Sequence, residues 1–156
     1  MTKENFMRKA IELSINNVKN NNGGPFGAVV VKDGKIIATG ANCVTSHNDP
    51  TAHAEVMAIR NACKELNSFQ LDDCEIYTSC EPCPMCLGAI YWARPKAIYY
   101  GNSKKDAANI NFDDQFIYDE LGLDLHQRKL KIEQMLSNEA ILAFELWQSN
   151  VEKTEY

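Results

Sequence analysis

A chain of 156 residues and 17.6 kDa has room for a single domain, read here as residues 1–156, and that length buries roughly 69% of the extended surface without disulfides. Hydrophobic residues make up 45% and charged residues 24%. No apolar run approaches the roughly 18 residues of a membrane span, and residues 1–10 lack a signal-peptide core, so a cytoplasmic protein is expected.

In chain order, Phe6, Met7, Ala10, Ile11, Leu13 and Val18 recur near helical spacing and predict a helix over 6–18, closed by Asn21 to Gly24. Two β-branched runs, 28–32 and 35–39, flank Asp33-Gly34, a hairpin signal. Asn48-Asp49-Pro50-Thr51 reads as a turn and helix start, the helix running to about Leu66. Strands are predicted at 75–79 and 97–101, with a helix at 85–92 between them. Residues 112–121 suggest a short helix capped by Asp113 or Asp114, 130–136 a fifth strand, and 138–148 a helix with Ala140, Ile141, Phe144 and Trp147 on one side. The alternation describes an α/β layered domain around a mixed sheet opened by a hairpin.

Net charge is −5 and unevenly spread: residues 1–105 carry 12 basic and 10 acidic side chains, residues 106–156 carry 4 and 11. A protein that grips phosphate backbones needs a basic face, so the acidic last third weighs against a nucleic-acid partner.

Of six cysteines, Cys80, Cys83 and Cys86 crowd into seven residues, which points to metal or catalysis instead of disulfides. His53-Ala54-Glu55 stands near one helix start and Pro82-Cys83-Pro84-Met85-Cys86 at the next. Cys83 and Cys86, three apart, share a helix face, and a helix N-terminus favours thiolates. With His53 as third ligand, one tetrahedral position of a zinc ion remains for water, and Glu55 is the candidate base. Residues two apart lie about 200° around a helix, so His53 and Glu55 converge only if the metal lies off the helix end. Other readings stay open: Cys80 as a fourth ligand of a structural zinc, part of an iron–sulfur run, or a redox C-x-x-C.

Together, the H-x-E and P-C-x-x-C segments resemble the signature of zinc nucleobase deaminases. The chain resembles the cytidine-deaminase-like superfamily, and within it the bacterial guanine deaminases. The segments that carry this are residues 23–29, 48–55 and 77–94, Phe112-Asp113-Asp114, Phe116-Ile117-Tyr118 and the closing Glu155-Tyr156. The resemblance implies a three-layer α/β/α fold with a mixed five-stranded sheet, one zinc ion per chain, and hydrolysis of guanine to xanthine and ammonia. It also implies that Asn42 hydrogen-bonds the base, that Phe26 and Trp92 form pocket walls, and that main-chain N–H groups near Ala54 and Cys83 help hold the pocket. Asp114 would meet the base's amine or share proton transfer. Tyr156 would cover a neighbouring subunit's pocket, in a homodimer that exchanges its C-terminal segment.

The competing readings are a deaminase of guanosine, cytosine or tRNA adenosine, and a non-enzymatic zinc module closed by Cys80. The tRNA reading calls for a basic terminal helix, but the terminal helix region here carries Glu139, Glu145, Glu152 and Glu155 against Lys153 alone. Cys43, Cys63 and Cys74 read as small buried hydrophobes.

Overall fold

Asp33 and Gly34 turn the chain at φ 50° and 71°, the left-handed geometry of a two-residue hairpin. They join β1 (Gly27–Lys32) to β2 (Lys35–Ala41) in the computed structural model, which describes Met1–Tyr156. The chain divides into two units, Met1–Asp114 and Gln115–Tyr156.

In the first unit the strand order is β2-β1-β3-β4, with β3 at Glu75–Cys80 and β4 at Ala97–Asn102. β1 runs antiparallel to β2 and β3, while β3 and β4 are parallel. Side chains alternate across a strand, and each face of the sheet meets its own helices. Val29, Val31 and Tyr77 pack against Phe6 and Ala10 of α1 (Lys3–Lys19). Ala28, Val30 and Ile76 pack against Ala54, Ala58 and Ala62 of α3 (Ala54–Leu66) and Ile90 and Ala93 of α4 (Pro84–Ala93). The result is the expected α/β/α layering. Burying one large side chain such as Phe6, 3% exposed, contributes about 2 kcal/mol.

Alanines on the inner face of α3 let it lie close to the sheet. A Cβ on Gly40 would stand 2.2 Å from the Ala54 carbonyl oxygen and 2.4 Å from the Ala58 nitrogen. Helix and strand therefore touch backbone to backbone at the point where α3 begins.

Two single-turn helices, α2 (Val44–His47) and α5 (Lys104–Ala108), were not foreseen. They are too short to show a hydrophobic period. α5 opens on a capping box between Ser103 and Asp106.

The second unit holds α6 (Gln115–Leu121), a 3-10 turn at Leu125–Gln127 and α7 (Ser137–Ser149). The fifth strand expected at 130–136 is irregular and exposed instead, and the sheet has four strands. A strand forms only where its N–H and C=O groups find a ladder, and the ends of this run are committed elsewhere. Lys129 N–H donates to Glu120 Oε2 at 2.8 Å, and Leu136, at φ 52°, accepts from Glu139 and Ala140 N–H at 3.0 and 2.9 Å as α7 begins. No helix of the chain is long and apolar enough to cross a membrane.

Candidate active site

Strand directions bring the signature residues together. β2, β3 and β4 end at the edge of the sheet where β1 begins, since Gly27 pairs with Ala41, Ala28 with Thr78, and Cys80 with Asn102. Such a carboxyl-end edge is where open α/β sheets bind ligands. Phe26 enters β1 there, Asn42 leaves β2, and the chain passes from Cys80 to Cys83 beyond β3.

His53 is the N-cap of α3, with extended backbone at φ −71° and ψ 156°. This places its ring off the helix end, as convergence with Glu55 requires. The loop before it is held by Asp49, whose Oδ1 accepts from Thr51 N–H and Oγ1 at 2.8 and 2.7 Å, and by Cys43 N–H donating to the Ala52 carbonyl at 2.9 Å. Cys83 is likewise an N-cap, that of α4, with Pro84 in the first turn where its missing N–H costs nothing. The two cysteines were expected to share a helix face. They meet instead as a cap and a first-turn residue, the reach a capping side chain makes.

His53 Nδ1 lies 3.5 Å from Cys83 Sγ and 3.4 Å from Cys86 Sγ, and the three ligand atoms are all within 4.8 Å of one another. Zn–N and Zn–S bonds of about 2.0 and 2.3 Å at tetrahedral angles separate nitrogen from sulfur by about 3.5 Å. The donor set therefore fits a zinc ion in both chemistry and spacing. Cys80 is outside the group: its thiol donates to the Ser103 carbonyl at 3.8 Å, and burial pushes it up to about 11. That leaves three candidate ligands, the number found in catalytic zinc sites.

The two thiols are pushed in opposite directions. The Cys86 thiol, hydrogen-bonded to Cys83, holds the Cys83 thiol down to about 4, with His53 adding to the effect, while the same bond raises Cys86. The His53 imidazole is raised by its hydrogen bond with Cys83.

Glu55 is 6% exposed, and burial pushes its carboxyl above the usual range. Its Oε1 accepts from Thr78 Oγ1 at 3.3 Å. Thr78 went unnoticed in the sequence, as did Ser79, whose Oγ accepts from Gly27 N–H at 3.0 Å. Their one trace is a polar pair at buried positions of a strand that otherwise buries Ile76, Tyr77 and Cys80.

Asn42 is 7% exposed, and its Oδ1 accepts from Gly24 N–H at 3.2 Å and Val44 N–H at 3.3 Å. The Phe26 ring meets Phe112 edge-on at 5.0 Å. Ala54 is fully buried in the first turn of α3. Burial raises the Asp114 carboxyl, and the charge of Cys83 adds to the shift, so the two groups lie within electrostatic reach. Trp92, near the C-terminal end of α4, is 63% exposed, and Tyr156 lies in the second unit.

The pattern of the cytidine and deoxycytidylate deaminase zinc-binding region matches residues 1–102. The chain is 54% identical to the guanine deaminase of Bacillus subtilis (strain 168) over 156 residues, covering all of both chains. The X-ray structure of the Bacillus subtilis guanine deaminase superposes with a TM-score of 0.97 over 100% of this chain and 99% of that one. A tRNA-specific adenosine deaminase of Buchnera aphidicola subsp. Schizaphis graminum (strain Sg) is 39% identical over 110 residues, 70% of each chain.

Proposed function

Because the chain belongs to the cytidine and deoxycytidylate deaminase zinc-binding family, we propose that it hydrolyses guanine to xanthine and ammonia. The observation that carries this is likeness along the whole length to the Bacillus subtilis guanine deaminase. The likeness to the Buchnera tRNA-specific enzyme spans 70% of the chain. The acidic last third, with 11 acidic side chains against 4 basic, suits a free purine base better than an RNA backbone.

His53, Cys83 and Cys86 would hold one zinc ion, which would supply Lewis acidity toward a water nucleophile. Glu55 would take one proton of the attacking water and pass it to a ring nitrogen of guanine, then carry the second, from the hydroxyl so added to the base, to the departing amine. Its burial suits the task, since desolvation raises the carboxyl above its ordinary range and makes the ionised form a stronger base. Asn42 hydrogen-bonds the base and Phe26 offers a ring face to it. Main-chain N–H groups near Ala54 line the same pocket. Asp114 receives the exocyclic amine or shares its protonation, and Trp92 closes another wall.

Residues 1–156 form one catalytic domain of a cytoplasmic homodimer in which the C-terminal segment is exchanged. α6 and α7 bury no residue in the single chain, and α7 exposes Ile141, Leu142, Phe144, Leu146 and Trp147. Apolar side chains exposed all round a helix call for a partner, and a second copy brings Tyr156 over the neighbour's base.

Ammonia release with guanine, guanosine, cytosine, adenine and deacylated tRNA tests the assignment. Turnover confined to guanine supports it, and release from the nucleoside or from tRNA in its place would reverse it.

A further inference from the structure

Asn17 is a buried polar residue of α1 that none of these steps uses. It is 5% exposed, and its Nδ2 donates to the Gly24 carbonyl at 2.7 Å and to the Asn42 carbonyl at 2.9 Å. One amide thus ties the segment before β1 to the residue after β2. The joint is tight: a Cβ on Gly23 would stand 2.2 Å from the Asn42 carbonyl oxygen.

The same segments fix the Asn42 side chain, because its Oδ1 accepts from both Gly24 and Val44 N–H. An amide oxygen has two lone pairs and an amide nitrogen two hydrogens. With Oδ1 occupied twice, Asn42 offers a ligand donors and no acceptor. That polarity depends on Gly24 staying beside Asn42, which is what Asn17 enforces.

We propose that Asn17 is a positioning residue: by clamping the Gly24 and Asn42 carbonyls it holds the Asn42 amide donor-outward, so that the site recognises a purine through a hydrogen-bond acceptor. This rests on the reading that Asn42 touches the base. Asn17 itself touches no substrate, and its effect passes through Asn42, so the two residues act as one unit in binding.

The test is a double-mutant cycle on guanine turnover with Asn17→Ala, Asn42→Ala and the double variant, and with Asn17→Ser as a milder change. Zinc content and thermal melting are measured alongside. Asn17→Ala is expected to raise KM on the order of tenfold, with kcat within about twofold of the parent and one zinc retained. The double variant should bind guanine no more weakly than Asn42→Ala alone. Additive losses, or a parental KM in both Asn17 variants beside a raised KM in Asn42→Ala, overturn the proposal alone. A parental KM in Asn42→Ala overturns the reading beneath it and the proposal together. Loss of folding or of zinc in both Asn17 variants makes the residue structural and overturns the proposal as well.

Discussion

The Thr78 hydroxyl donates to Oε1 of Glu55 at 3.3 Å, from the third strand to the first turn of α3, with both side chains buried. Thr78 shares its sheet face with Ile76, opposite Ala28 and Val30 in the register, so the strand itself aims the hydroxyl at the helix. A donor to a carboxylate favours the ionised form, whereas burial disfavours it and raises Glu55. The base must be ionised to act, so activity falls as pH drops through the Glu55 pKa. Thr78→Val keeps the shape and removes the donor, so the acidic limb of the pH–rate profile should move to higher pH. Thr78→Ser should leave it in place. Equal profiles in all three proteins would rule out a role for the hydroxyl.

Glu55→Gln keeps the volume and hydrogen-bonding reach of the side chain but cannot carry a proton between water and base. Zinc content should stay near one per chain while kcat falls by a factor on the order of 10² or more. Elemental analysis with steady-state ammonia release decides it, and undiminished turnover would remove Glu55 as the base.

Zinc uptake by metal-free protein should release protons. At pH 7 Cys83 is already ionised, since its thiol is held down to about 4, so Cys86 supplies the proton that leaves. His53 is raised above the ordinary imidazole value, so as pH falls it must also lose a proton on binding, and the number released per zinc should climb. Zinc affinity falls in step as pH drops. Calorimetry in buffers of different ionisation enthalpy reads the count, and zero release would contradict a Cys86 thiol that keeps its proton in the metal-free site.

Removing Glu155 and Tyr156 should leave the melting temperature and the dimer unchanged while guanine turnover falls at least tenfold. Phe144→Asp on α7 should instead shift the sedimentation coefficient toward a monomer. A truncated protein with full activity would refute a tail completing the pocket, and a monomeric parent would refute the exchange.

The hairpin was legible because Asp33-Gly34 adopts the one backbone geometry that such a pair favours. His53, Glu55, Cys83 and Cys86 were legible because ligand chemistry restricts both residue type and spacing. The fifth strand was misread from the apolar residues Leu130, Ile132, Met135 and Leu136; pattern alone does not say whether a neighbour completes the ladder. Asn17 and Thr78 are not legible as functional from the sequence, since a polar residue on an apolar stripe reads as an exception until its partner is known. Those partners, Gly24 and Asn42 for one and Glu55 for the other, are set by tertiary packing.

His53 and Cys83 begin α3 and α4, and neither makes a hydrogen bond of the usual capping kind. Two helices thus turn their positive poles toward one spot. The thiolate and the Glu55 carboxylate gathered there are the countercharge to both poles, besides whatever chemistry they perform. An alanine placed at Cys83 to silence the site would also leave two like poles facing each other, so a loss of stability in that variant is an electrostatic property of the fold and says nothing by itself about catalysis.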